Sequence, residues 1–414
     1  MASAKQADSE QGGASPASRP KKKRRWGFVL VALSAGCALA LLAVELAFRL
    51  LWTLPPWMAE FQQAGMYMAT PDRDTALQPG YRGTLQIGEA GVTTVAIDGL
   101  GMRGAEIGAK RPGERRVLVV GDSLVFGYGV DVEQALPAQL EHDLRAAGVD
   151  CTVGNGGVPS YGSKHAVAHM ARLDGPFEAD AFVVCGFLGN DAMDDVSPER
   201  TVYAGLMLQG QMARLVHNSW RTRLALRSRA ALWLESWIFT NHPAWSPLTQ
   251  LAPDPADAER QAGMPPQQPV DLSHAGLFLD VVDAATTWAE GAPPAIPRLL
   301  AILRSSLQRA KQVAGVRPLV FVVLPTVWQV SEQRRVARLG ELKLDIAAYR
   351  RGLAQERWLG VARELGIVAL DATPVLAAEP EPAGLFIADG GHFSRRGNAI
   401  VAVWLANELL PLLR

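Results

Sequence analysis

A serine hydroxyl, an imidazole and a carboxylate can be picked out of this chain by the turns that carry them. Ser123 follows Arg115-Arg116-Val117-Leu118-Val119-Val120-Gly121-Asp122, so an apolar, β-branched burst ends at once in Gly-Asp-Ser. That pattern sets the hydroxyl at the C-terminal lip of a buried strand, where open α/β sheets bind ligands. Far down the chain stands Asp389-Gly390-Gly391-His392. A serine is a weak nucleophile until a base takes its proton, and a base works best when an acid orients it. His392 is the candidate base, because an imidazole titrates near neutrality and can return the proton to a leaving group. Asp389 is the candidate orienter, its spacing letting both side chains leave one turn on the same side. Gly-Asp-Ser by itself is also an ordinary strand exit with a helix N-cap. No G-x-S-x-G surrounds Ser123, so a nucleophile elbow of the α/β-hydrolase kind is not expected.

Two further blocks, Asn155-Gly156-Gly157 and Gly189-Asn190-Asp191, fall where an α/β chain returns loops to the same rim. Together the four blocks resemble the SGNH (GDSL-type) hydrolase family, in the family's order, over roughly residues 115–195 and 316–414. The matching residues are Ser123, Gly157, Asn190 and His392. The resemblance implies an SGNH/flavodoxin-like three-layer sandwich and serine ester chemistry. It also implies an oxyanion hole made by the backbone N–H groups of Ser123 and Gly157 and the side-chain amide of Asn190. Glycine at 157 would let substrate approach the backbone, and a neutral amide at 190 can donate where a carboxylate cannot. Asp122 is expected to brace its turn by accepting backbone hydrogen bonds. Asp191, Asp194 and Asp195 form an acidic rim to which no role is assigned.

The elements that must position these groups follow from hydrophobic period. Strands are expected at Val117–Val120, Cys151–Val153, Ala181–Gly186, Leu319–Leu324 and Ile367–Leu370. Between and after them come helices Leu136–Ala147, Lys164–Leu173, Ile296–Val313, Leu342–Leu365 and Ser394–Leu410. Such alternation argues for a parallel sheet covered on both faces. A small β-rich lead-in within residues 53–114 shows two alternating runs, Thr84–Ile87 and Val92–Ile97, joined around Gly88–Gly91. An insertion at about 197–295 breaks the rhythm. It is expected to be largely helical from Met207 to Ile238, with arginines at helical spacing, and to include an exposed loop over 252–269. As a cap, or as a helix lying on a membrane or an acidic glycan, it could also shape substrate choice.

The chain has 414 residues, is 49% hydrophobic and carries a formal charge of zero. Charge is concentrated at the start, where Lys5, Arg19, Lys21, Lys22, Lys23, Arg24 and Arg25 face only Asp8 and Glu10. Residues 1–25, poor in large apolar side chains, are expected to be a disordered cytoplasmic tail. Residues 26–52 then run uncharged from Trp26 to Val44, and about 20 such residues cross a bilayer. The basic block before the span and the tryptophans at its ends favour an uncleaved anchor, with everything after Trp52 outside, in a periplasm or beyond. The 115–414 stretch is read as the hydrolase-like domain.

Three cysteines, Cys37, Cys151 and Cys185, make no disulfide framework. No metal-ligand spacing occurs among the seven histidines, and no cofactor is implied. His142, His165, His169, His217, His242 and His274 are expected on the surface or in the insertion. The expected partners are an ester substrate, an acylated glycan being one candidate class, and a lipid bilayer through residues 26–52, with no nucleic acid. A membrane-anchored esterase is the reading the residues favour. An O-acyltransferase using the same acyl-serine, and a scaffold in polysaccharide export with little catalysis, are the alternatives.

Overall fold

The computed structural model describes residues 23–52, 65–71, 74–86, 91–196, 200–247, 277–280, 295–341 and 345–414. The basic tail through residue 22, the connector 53–64, the turn 87–90 and the loop 252–269 lie outside the described residues. Two units are distinguished. The first is α1 (Lys23–Leu51) together with Ser228–Ala230. From Trp26 to Leu51 it is a 26-residue apolar helix with none of its length buried. At ~1.5 Å per residue that is about 39 Å, longer than a bilayer's hydrocarbon core. Within this unit Glu45 accepts hydrogen bonds from Ser228 Oγ (2.6 Å) and from the N–H groups of Arg229 (3.0 Å) and Ala230 (3.2 Å).

The second unit opens with two antiparallel pairs, β1 (Tyr67–Thr70) with β2 (Asp74–Leu77) and β3 (Arg82–Gln86) with β4 (Val92–Ala96). The β3–β4 pair is the hairpin expected from alternation, whereas β1 and β2 were not. Then come β5 (Arg115–Gly121), α2 (Ser123–Phe126), α3 (Leu136–Ala146), β6 (Cys151–Gly157), α4 (Ser163–Phe177), β7 (Ala181–Phe187) and α5 (Asp191–Val196). After the insertion the chain continues through α9 (Ala295–Ala314), β10 (Leu319–Leu324), α10 (Val327–Val330), α11 (Glu332–Glu341), α12 (Leu353–Glu364), β11 (Val368–Asp371), α13 (Thr373–Ala377) and α14 (Arg395–Leu413).

Five of these strands form one parallel sheet in the order β11-β10-β7-β5-β6. In chain order that is 2-1-3-4-5, the flavodoxin-like winding, whose direction switches between β5 and β7. The fold is therefore the expected α/β sheet with helices on both sides. Alternate strand residues divide between two cores. Leu118, Val120, Phe182, Val184, Phe321 and Val323 pack with α4, α9 and α12. Val117, Val119, Val183, Cys185, Val320 and Val322 pack with α3 and α14. Burial on both faces explains why these strands read as unbroken apolar runs.

Two expectations fail. The helix expected over Leu342–Leu365 begins only at Leu353, because Gly352 is left-handed (φ 84°) and Asp345 instead caps a short turn by accepting the Ala347 N–H at 3.0 Å. The insertion begins not with helix but with a hairpin, β8 (Arg200–Tyr203) and β9 (Leu206–Gln209). Its turn residues Ala204 and Gly205 both have positive φ, the geometry that suits two-residue hairpins. The helical part is three pieces, α6 (Gly210–Asn218), α7 (Trp220–Ala225) and α8 (Arg229–Asn241). Ser219 causes the first break, capping α7 by accepting the Thr222 N–H.

Candidate active site

Ser123 lies at the winding switch, as the first residue of α2 directly after β5. Asp122 caps that helix by accepting the Leu124 N–H at 2.9 Å, and its other oxygen accepts from Ser123 Oγ at 3.1 Å. The bracing role expected of Asp122 is therefore what its carboxylate does. Burial pushes its carboxyl above the usual range. As the opening residue of a helix, Ser123 has a backbone N–H with no acceptor in the preceding turn.

His392 reaches Ser123 from the other end of the chain. Its Nε2 stands 2.7 Å from Ser123 Oγ, and its Nδ1 stands 2.6 Å from Asp389 Oδ2. The remaining Asp389 oxygen accepts the N–H groups of Gly391 (2.9 Å) and His392 (3.0 Å). Burial pushes the Asp389 carboxyl up, but the hydrogen bonds from the His392 ring and from these N–H groups outweigh it and hold the group below its usual range.

The loop that carries the pair is pinned at its base. Phe386 and Phe393 form a bridge with their rings 5.3 Å apart, and Ser394 then caps α14 by accepting the Gly397 N–H. Gly390 has φ 70°, and a Cβ there would lie 2.9 Å from Val327 Cγ1, so glycine is needed on two counts. Its carbonyl accepts the Val327 N–H at 2.9 Å. The His392 ring lies 4.8 Å from that of Tyr128 and 6.4 Å from that of Phe187. These walls limit the tilt of the imidazole.

Asn190 follows β7, the neighbour of β5 across the switch. Its amide donates to Asp194 Oδ2 at 2.8 Å, which leaves the second amide hydrogen for another acceptor. Gly157 is placed differently from what the resemblance implies. It ends β6 inside the ladder, its N–H donates to Asn155 Oδ1 at 3.1 Å, and a Cβ on it would lie 2.1 Å from the Phe126 nitrogen. Close packing against the helix that Ser123 opens explains the glycine. The chain then turns through Val158–Tyr161, where the Tyr161 N–H donates to the Val158 carbonyl at 3.1 Å and Ser160 has φ 64°. A proline followed by a left-handed residue makes a type II turn, which favours glycine at the place Ser160 occupies. Pro159 is the sequence signal for this turn.

The three aspartates after Asn190 are not a rim. All are buried, each with a partner: Asp191 accepts the Phe187 N–H at 2.9 Å, Asp194 pairs with Arg200 at 2.8 Å, and Asp195 accepts from Ser163 Oγ at 2.5 Å. Burial pushes the Asp194 carboxyl up to about 7, against the pull of Arg200. His165 and His169 are likewise buried, against Tyr161, rather than on the surface.

Sequence reasoning missed Arg103. Almost wholly buried, it donates to the carbonyls of Phe126 (2.8 Å), Gly127 (2.7 Å) and Val130 (2.8 Å) just beyond the serine, and to Thr94 of the lead-in (3.2 Å). Its guanidinium also lies over the Phe126 ring. Nothing in an isolated arginine announces such a role.

An imidazole held this way can take the hydroxyl proton while the carboxylate stabilises the imidazolium. No family model and no curated protein matches the chain. Solved structures do. A lipase/acylhydrolase from Enterococcus faecalis is 13% identical with a TM-score of 0.36, over 71% of this chain and 95% of that one. A catalytic mutant of an acetylxylan esterase from Geobacillus stearothermophilus is 12% identical with a TM-score of 0.34, over 74% and 97%. A putative lipolytic protein of the G-D-S-L family from Desulfitobacterium hafniense is 13% identical with a TM-score of 0.33, over 70% and 98%.

Proposed function

We propose that this protein is a serine ester hydrolase held to a membrane by α1, with the sheet domain outside the cytoplasm. The observation that carries the reading is the unbroken chain from Ser123 Oγ to His392 Nε2 (2.7 Å) and from His392 Nδ1 to Asp389 (2.6 Å). In this reading Ser123 Oγ attacks the ester carbonyl while its proton passes to His392. The tetrahedral intermediate collapses as the alcohol leaves with that proton. Water, deprotonated by His392, then releases the acid and restores the hydroxyl. Charge on the intermediate's oxygen is met by the Ser123 N–H and the free amide hydrogen of Asn190. Gly157 can join them only if Asn155 releases its N–H.

Acyl esters on envelope or extracellular polysaccharide are the substrates proposed, O-acetyl groups first. The test uses the full-length protein in detergent with short and long p-nitrophenyl esters and acetylated glycans. Ester release should vanish in Ser123→Ala and in His392→Ala, with the double variant hardly worse. A fluorophosphonate should label the wild type at Ser123, and labelling that persists in Ser123→Ala would remove this serine from the chemistry. The same acyl-serine could pass its acyl group to a sugar hydroxyl. A labelled donor offered with and without oligosaccharide separates the two outcomes, since label gathering on sugar faster than in water makes the protein a transferase.

A further inference from the structure

Among the described residues, the insertion presents exposed aromatic surface. On α8, Trp233, Leu234 and Trp237 recur at helical spacing and are exposed, while Leu232 and Glu235 on the other side are buried. Next to them in sequence, α7 exposes Trp220 and Leu224, at 67% and 50%, and Trp245 beyond α8 is 71% exposed. Trp237, His242 and Trp245 form one aromatic row, with centroids 5.5 and 5.1 Å apart. Scattered single apolar residues on a surface need no explanation, but a run of indoles and leucines does.

Charge on the same stretch has one sign. From Gly210 to Pro247 the chain carries Arg214, Arg221, Arg223, Arg227 and Arg229, and Glu235 is its sole acid. Glu235 is neutralised by Arg221 at 2.9 Å. Exposed tryptophan beside arginine suits the boundary between lipid headgroups and acyl chains, where the indole meets hydrocarbon and the guanidinium meets phosphate. The chain also ties the sheet domain to the span. Residues 53–64, even fully extended, reach at most about 45 Å from the end of α1.

We propose that the exposed face of α7 and α8 docks on an anionic phospholipid surface, indoles at the acyl boundary and the net positive charge of the stretch drawing it toward phosphate. The proposal rests on reading α1 as a membrane span. It gives the insertion a task outside the reaction: keeping the domain on the membrane plane rather than free at the end of a tether.

The test reconstitutes the full-length protein, dilute in lipid, into phosphatidylethanolamine/phosphatidylglycerol vesicles with either brominated or ordinary acyl chains. Bromine quenches tryptophan only on contact. The wild type is compared with a variant carrying Trp220→Phe, Trp233→Phe, Trp237→Phe and Trp245→Phe, whose activity on a soluble ester reports correct folding. Trp26 and Trp52 at the ends of α1 remain in both and report the span. Docking predicts that bromine removes roughly two- to threefold more emission from the wild type than from the variant, because four indoles at the boundary add to the two of the span. Equal quenching in both, with the span's share intact, overturns the docking alone. No quenching in either overturns the span reading itself. Two other results also overturn the docking: an emission shift with soluble acylated oligosaccharide and no excess bromine effect in the wild type, which marks a sugar platform, and an excess that disappears on dilution in lipid, which marks contact between copies.

Discussion

Replacing Asp389 by asparagine changes one atom, and the structure says which way that atom must face. Asp389 Oδ1 accepts two backbone N–H groups, from Gly391 at 2.9 Å and His392 at 3.0 Å. An amide carbonyl must take that place, since an NH2 there would confront two donors and cost a few kcal/mol. The NH2 is then left 2.6 Å from His392 Nδ1. Facing a donor, Nδ1 must be the acceptor, so the ring proton moves to Nε2. That proton points at Ser123 Oγ, 2.7 Å away, and the imidazole can no longer take the hydroxyl's proton. The expected loss in kcat is about 10⁴-fold, or about 5.5 kcal/mol, with KM little changed. Asp389→Ala leaves the tautomer free and should be no worse than the asparagine variant. Steady-state rates on a p-nitrophenyl ester, with melting temperatures to show intact folding, decide it. An asparagine variant within tenfold of wild type would refute the tautomer argument, as would an alanine variant well below it.

Arg103→Met should destabilise the protein by about 3 kcal/mol by removing a buried guanidinium's four hydrogen bonds to carbonyls, read as a shift in denaturant midpoint. Gly390→Ala should lower kcat at least tenfold with little effect on KM, because the new Cβ must displace the His392 loop from Val327, and a normal rate would show that the loop yields. Burial holds the His165 imidazole down to about 3, so the unfolded chain binds a proton that the folded one refuses. Stability from this group is present above pH about 6.5 and is lost as pH falls toward 3. His165→Gln should flatten that acid limb in urea titrations, and parallel limbs would contradict it. Alkaline phosphatase fused after Arg414 should be active and a cytoplasmic reporter there silent, and the reverse would invert the proposed topology.

The sheet was readable because its inner strands β5, β7 and β10 are buried on both faces and its helices on one. Val117–Val120 and Leu319–Leu324 are apolar without interruption, and the turn residues that close them are small or polar. That Ser123, His392 and Asp389 come together could also be expected, since a strand exit and a tight acidic turn each leave a local mark. Gly157 was misplaced because a glycine that lets two segments pack and one that admits a ligand look alike in sequence. Its packing partner, Phe126, is far away in the chain. The helix expected over 342–365 failed at Gly352, whose positive φ depends on the local turn rather than on hydrophobic period. The buried pairs of Asp191, Asp194 and Asp195 were illegible for another reason. A charge run normally faces water, and the donors that bury this one come from Phe187 at the end of β7, from Ser163 of α4 and from Arg200 of β8.

The lead-in of residues 65–104 limits how portable the sheet domain is. Its Met66, Tyr67, Leu77, Leu85, Val95 and Ile97 share one core with Phe126, Val158 and Tyr161, the residues behind Ser123 and its neighbouring turn. The N–H groups of Gly65 and Tyr67 both donate to the Gly205 carbonyl, and a Cβ on Gly205 would lie 2.2 Å from the Gly65 nitrogen, so the insertion's hairpin is stitched to the same place. A graft of the sheet onto another anchor, cut at Arg115, would bare that core and release both the serine turn and the insertion. The smallest transplantable piece therefore starts no later than Gly65, and the lead-in belongs to the sheet domain.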